Sequence, residues 1–345
     1  MLPSPTSLSA RDAYIAHSLL ISLLIYYTIH LRSLIPRNDI ERIIASWGQP
    51  GSASQNAKPP YPSNLTLGIE PIPCHSHNDY TRHVPLYDAL AAGCTGVEAD
   101  VWLQPNGDLF VGHTKNSLSQ TRTLQSLYVD PLVAILSLEN AFKNTTTPAT
   151  SNTTSHLQGI FDAAPQTSLT LLIDVKTSGA STFPVVHSAL ETLRSKDFLT
   201  YYNGSHLVPG PITVVATGNT PFSSIFALPD DHRDVFFDAP LDQLSGEEAS
   251  ANGTLYNSTN SYYASVSFPK AIGKPNGGMF SPAQVDLMRR QIKGAQDRGL
   301  KARYWDTPAW PVGLRDHVWN VLVSEGVGML NVDDLKAASQ QNWGS

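Results

Sequence analysis

Glu98 and Asp100 stand two residues apart in the run Gly-Val-Glu-Ala-Asp-Val-Trp, residues 96–102, which is otherwise apolar. In an extended strand, side chains two apart share a face. Acids set into an apolar strand are costly without a cation nearby, so this pair reads as metal ligands. A third acid, Asp174, closes the apolar run Leu-Leu-Ile-Asp-Val-Lys, with Lys176 two residues on. Three carboxylates make an oxygen-rich site of the kind that hard divalent cations prefer, Mg²⁺ ahead of Ca²⁺. Histidines flank it in the sequence: His75 and His77 in His-Ser-His-Asn-Asp, and His113 at the end of Asp-Leu-Phe-Val-Gly-His. Paired imidazoles supply a general base and a general acid. The plainer readings are an Asp174–Lys176 ion pair, structural roles for Asp79 and Tyr80, and helix capping by Asp333 and Asp334.

The elements that must hold these groups alternate between short apolar runs and helical stretches. Strand candidates are residues 68–74, 96–102, 108–113, 168–175, 212–217, 234–239, 262–268, 300–305 and 327–332. Helix candidates are 84–93, 131–142, 184–195, 282–299 and 316–326, with Gly93 closing the first and Gly299 the fourth. Such alternation means a parallel α/β sheet. The second and third runs are joined by only five residues, Leu-Gln-Pro-Asn-Gly. That is too short for a parallel crossover, so they form an antiparallel hairpin with Asn106-Gly107 in the turn. Pairing Pro105 with Asp108 then sets Asp100 opposite His113. With the hairpin counted once, eight parallel strands remain, the number that closes a (β/α)₈ TIM barrel. The catalytic groups fall at its C-terminal rim. Arg303 and Trp305, near the end of the seventh barrel strand, are expected to line the pocket.

From Tyr14 to Leu31 no Asp, Glu, Lys or Arg occurs. These 18 residues, at 1.5 Å each, span about 27 Å as a helix, close to a hydrocarbon core of about 30 Å. The chain divides into a signal-anchor or transmembrane segment (1–35), a linker (36–63) whose second half is rich in Pro, Gly and Ser, and the barrel (64–345). Arg32, Arg37 and Arg42 pull the following chain toward the cytosol. Six N-x-S/T acceptors, at Asn64, Asn144, Asn152, Asn203, Asn252 and Asn257, argue for the lumen. We read a catalytic domain held on the luminal or outer side of a membrane by its N-terminal helix, or secreted if that segment is cleaved. A net charge of -6 with no basic stripe excludes a nucleic-acid footprint. Cys74 is expected at the top of the first strand and Cys94 at the bottom of the second, over 10 Å apart by the ~3.3 Å rise per residue. Two free, buried thiols are therefore expected.

The motifs H-x-H-N-D, V-E-A-D-V, G-D-L-F-V-G-H and L-L-I-D-V-K together resemble the phospholipase C-like phosphodiesterase superfamily. Within it, His-Ser-His-Asn-Asp-Tyr followed by PLYDALAAGCTGVEADV is similar to the altered inheritance of mitochondria protein 6 family. The likeness runs from about Leu67 to the C-terminus. It implies a metal-dependent phosphodiesterase of glycerophosphodiesters or phospholipids, in which a neighbouring substrate hydroxyl attacks phosphorus. It makes His77 the first catalytic histidine, with His75 the alternative, and His113 the second. Glu98, Asp100 and Asp174 become metal ligands with Asn78 beside them, and Lys176 a phosphate contact. No arginine follows either histidine as it does in glycerophosphodiesterases, so Arg303 or Lys176 would take over that contact. Two rivals are an amidohydrolase-type metal enzyme, which needs histidines at later strand ends that this chain lacks, and a non-catalytic luminal binding protein on a degenerate barrel.

Overall fold

The computed structural model describes residues 10–33, 35–46, 65–141, 157–244, 250–251, 253–275 and 278–343. All nine apolar runs form strands of one sheet: β1 (Ile72–Ser76), β2 (Cys94–Leu103), β3 (Leu109–Val111), β4 (Leu169–Val175), β5 (Ile212–Gly218), β6 (Val235–Pro240), β7 (Ser261–Ser267), β8 (Lys301–Trp305) and β9 (Met329–Val332). Eight run parallel and close in the order β1-β9-β8-β7-β6-β5-β4-β2, with β2 pairing back onto β1. This is a closed (β/α)₈ barrel with helices around it, and β3 lies antiparallel along β2. The strands read as near-continuous Val, Ile and Leu because both of their faces are covered. Outward residues such as Leu171, Ile173, Val214 and Ala216 join the main core under the helices. Inward residues Leu172, Val215, Tyr263 and Met329 form a separate apolar floor inside the barrel.

The hairpin forms in a register one residue from the expected one. Leu103 pairs with Leu109 and Gln104 N–H donates to Asp108 O, so the loop is the three residues Pro105-Asn106-Gly107. Gly107 takes φ 91°, the left-handed conformation that closes three-residue hairpin loops. Asp100 therefore faces Gly112, whose N–H donates to Asp100 O. His113 lies beyond the end of β3, free of the ladder.

The expectation of free thiols is overturned: Cys74 and Cys94 form a disulfide, with Cα atoms 4.7 Å apart. The register pairs Ile72 with Cys94 and His75 with Gly96, with an irregularity between them. The start of β2 is thus level with the start of β1, which runs Ile72–Ser76 and does not end at residue 74, so Cys74 stands low enough on its strand to reach Cys94.

The stretch 36–63 is not linker throughout. Asp39–Ser46 forms helix α2, which packs on Tyr87–Ala91 (helix α3), with Ile40 fully buried and its N–H donating to Leu65 O. The Pro, Gly and Ser-rich remainder from residue 47 lies outside the described residues. Ahead of it, Ala10–Ser33 is one continuous helix, α1, long and apolar enough to cross a membrane, with none of its apolar window buried. Asn203 and Asn257 sit partly exposed in turns, while Asn64, Asn144, Asn152 and Asn252 lie outside the described residues.

Candidate functional site

Above the apolar floor the barrel interior turns polar, in two tiers. The lower tier is built on Glu98. Its Oε2 lies 3.3 Å from Arg303 Nη2 and 3.5 Å from His75 Nε2, and it accepts from the Asn78 backbone N–H at 3.4 Å. Arg303 is almost completely buried. It donates from Nε to Asn331 Oδ1 at 2.9 Å and from Nη1 to Ser265 Oγ, with Asp238 Oδ2 at 3.8 Å. His75 is fully buried, its ring edge-on to Tyr263. It fits because β2 offers Gly96 opposite it: a Cβ there would lie 2.6 Å from His75 Nδ1. Burial, reinforced by Arg303, lowers the His75 pKa to about 4, so the imidazole is neutral. Burial by itself would raise Glu98, but the contact with His75 and the Arg303 guanidinium hold its carboxyl well below the usual range.

The upper tier stands at the rim. Asp100 and Asp174 are direct partners across β2 and β4, which puts both on the inner face at one level. One oxygen each from Glu98, Asp100 and Asp174 lie within 4.8 Å of one another. Lys176 Nζ reaches Asp174 Oδ2 at 2.6 Å and Asp100 Oδ2 at 3.0 Å. The Tyr80 hydroxyl lies 2.8 Å from Asp100 Oδ2, 2.5 Å from Asn78 Oδ1 and 3.3 Å from His113 Nδ1. With one proton it donates to one of these at a time. His113 Nδ1 is 3.7 Å from Asp100 Oδ2, and its side chain is largely exposed. Across the mouth, His77 Nδ1 is 2.8 Å from Asp333 Oδ1. Burial works against charge on His77, but that carboxylate outweighs it and raises the pKa. Burial, then repulsion from Glu98, pushes Asp100 up to about 6 in spite of Lys176. Asp174 is raised as well, by burial first.

The donor set suits a divalent cation. Four carboxylates (Glu98, Asp100, Asp174 and Asp238) face two fixed cations, Arg303 and Lys176, within one barrel mouth. Asp100 Oδ1 and Asp174 Oδ1 are buried with no hydrogen-bond partner, a costly state that a bound cation would relieve. Glu98, Asp100 and Asp174, with Asn78 adjoining, would hold it.

Most residues singled out from the sequence thus come together: Glu98, Asp100, Asp174, Lys176, His77, Asn78 and His113 surround one mouth. Arg303 and His75 sit one tier lower. Both are buried and turned toward Glu98. Trp305 ends β8 two residues above Arg303 and is 37% exposed. Three further residues join the site: Asp238, which the sequence analysis does not single out, and Tyr80 and Asp333, to which it gives structural and capping roles. Asp238 carried the same signal as Asp174, a single acid in an apolar strand. Tyr80 stood in the motif but was read as structural. Asp334 does cap a helix, accepting from Ala337 N–H, whereas Asp333 instead holds His77.

The comparisons with known proteins agree with this geometry. An AIM6-like phosphodiesterase domain matches residues 63–238, which carry Glu98, Asp100, Asp174 and Asp238. The altered inheritance of mitochondria protein 6 homolog of Arthroderma benhamiae is 41% identical over 81% of this chain and 86% of its own length. Altered inheritance of mitochondria protein 6 of Eremothecium gossypii is 35% identical over 84% of this chain and 75% of its own. The Saccharomyces cerevisiae protein of that name is 31% identical over 80% and 72%. With a closed barrel, an acid cluster at its rim and these relatives, the chain belongs to the altered inheritance of mitochondria protein 6 family and carries an AIM6-like phosphodiesterase domain over residues 63–238.

Proposed function

We propose that this chain is a metal-dependent phosphoric diester hydrolase acting on glycerophosphodiesters or phospholipids by histidine acid–base catalysis. The observation that carries the reading is the pair of unpartnered, buried oxygens on Asp100 and Asp174, with one imidazole on either side. A divalent cation, Mg²⁺ ahead of Ca²⁺, would neutralise the phosphate oxygens there. Lys176 offers its ammonium to the same phosphate. His77, with Nδ1–H donated to Asp333, turns the lone pair of Nε2 toward substrate and accepts the proton of the attacking hydroxyl. His113, exposed beside Tyr80, gives a proton to the leaving oxygen.

The test is turnover of glycerophosphodiester, lysophospholipid and sphingomyelin substrates before and after chelation, with Mg²⁺ restored. His77→Ala and His113→Ala are each expected to cost about 10²–10⁴-fold while the fold is retained. Wild-type rates in both variants would sink the assignment. One observation favours a non-catalytic binding barrel: Lys176 already bridges Asp100 and Asp174. On that reading no substrate turns over at any Mg²⁺ concentration.

The barrel is further proposed to lie on the luminal or outer side of a membrane, anchored by α1. The Cys74–Cys94 bridge and the Asn203 and Asn257 acceptors support an oxidising, glycosylating compartment. A mass shift on glycosidase treatment is expected; its absence together with free thiols would place the barrel elsewhere.

A further inference from the structure

The mouth of the barrel is two-sided. Glu98, Asp100, Asp174, Lys176 and His113 come from β2, β4 and the segments that follow β4 and β3. On the opposite side, β7 and β8 are hydrogen-bonded neighbours, so the connections leaving their upper ends lie side by side. Those connections expose Met279 (66%), Trp305 (37%), Trp310 (77%) and Val312 (44%). Outside the N-terminal segment, large exposed hydrophobics among the described residues are otherwise isolated: Leu67, Phe226 and Leu255. The concentration at one edge of the mouth is what needs explaining, because contiguous exposed apolar surface marks a binding surface.

The described parts of the two connections are packed from beneath. The Phe268 ring meets those of Phe280 and Tyr304 edge-on, with centroids 5.9 Å apart in each case, and Phe280 stacks on His317 of the helix Val312–Ser324 with centroids 5.5 Å apart. Packing beneath therefore holds the exposed residues above. Trp305 also shares the inner face of β8 with Arg303, two residues below, whose guanidinium meets Glu98. The apolar edge is thereby continuous with the polar tiers.

We infer that the β7–β8 edge is an apolar subsite for the hydrocarbon part of the substrate, so that the diester is an amphiphile with a single acyl or alkyl chain. The phosphate lies over Asp100, Asp174 and Lys176, and the chain lies across Trp305 and Trp310. This rests on the phosphodiesterase reading and narrows it from glycerophosphodiesters in general to lysophospholipid-like molecules.

The experiment compares glycerophosphocholine with hexanoyl-lysophosphatidylcholine, which differ only in the acyl chain, on the full-length protein in nanodiscs. Binding is read by titration calorimetry and turnover by release of the head group, in wild type, Trp310→Ala and Met279→Ser. Wild type is expected to bind the acylated compound roughly tenfold tighter, as burial of several methylenes allows. Trp310→Ala should remove most of that preference while leaving glycerophosphocholine within about twofold, and Met279→Ser should remove less. Equal wild-type affinities, or a preference that survives both substitutions, would overturn the subsite whether or not either compound turns over. Acyl-selective binding without turnover would keep the subsite and sink the phosphodiesterase reading instead. A preference lost through Trp310 only when vesicles are added would assign this edge to a membrane surface and overturn it as a substrate subsite.

Discussion

Glu98 and Asp100 lie two residues apart on one strand and face the same interior, yet the barrel treats them in opposite ways. Glu98 meets a guanidinium and a neutral imidazole and stays ionised below its usual range. Asp100 meets Asp174 and a lysine that must serve both, keeps one oxygen without a partner, and is driven up to about 6. The lower tier is compensated by the chain itself. The upper tier is left in electrostatic deficit at an open rim, the deficit that the proposed cation would relieve.

The contrast can be broken first at Arg303. Arg303→Met should cost about 3–5 kcal/mol of stability in denaturant unfolding, because it strands the buried Glu98 charge. Adding Glu98→Gln should recover part of that loss. A neutral single variant would show that the lower tier is not an ion-pair network.

Next in size is the bridge beneath that tier. Cys74→Ala with Cys94→Ala should cost about 3 kcal/mol, the loop-closure value for a separation of 20 residues. Alkylation of the unfolded, unreduced wild type should find no thiol.

The pH response separates the tiers directly. Folded Asp100 keeps its proton up to about 6, against an ordinary value of 3.8. Its contribution to stability is therefore complete below the ordinary value and is lost as pH rises toward 6. Glu98 has the reverse sign: its contribution is complete above the ordinary value of 4.5 and is lost as pH falls. Asp100→Asn should flatten the decline between pH 4 and 6 by about 1–3 kcal/mol, read from denaturant midpoints. Asp79, raised to about 6 chiefly by burial, leaves a residual slope. An unchanged slope would mean that Asp100 is already compensated. The smallest effect is Tyr80→Phe, expected to lower kcat about tenfold or less through loss of one hydrogen bond to the Asp100 carboxylate, with the pH profile of kcat as the check.

How much of this was readable in the chain differs by element. All nine strands were, because strands covered on both faces leave unbroken apolar runs. So were Glu98, Asp100 and Asp174, since acids inside such runs stand out. The hairpin was readable as a hairpin but not in register: Asn-Gly closes both two- and three-residue loops, and only the flanking pairs decide. His113 still meets Asp100, because it lies beyond the ladder and its approach does not depend on that register. Asp333 beside His77 could not be read, since 256 residues separate them and only the β1–β9 pairing joins their ends.

The sequence by itself determined the local matters: which segments are extended, which side chains share a face, that a helix of membrane length precedes the barrel, and that carboxylates and imidazoles gather at strand ends. Those follow from periodicity and from the cost of burying charge, which act over a few residues. Tertiary structure alone decided the register between β1 and β2, and hence the Cys74–Cys94 bridge. It also decided that Arg303 and His75 serve Glu98 from below while Asp100 is left short of charge. The physical reason is closure: in a barrel every strand's height depends on all the pairings around the ring at once.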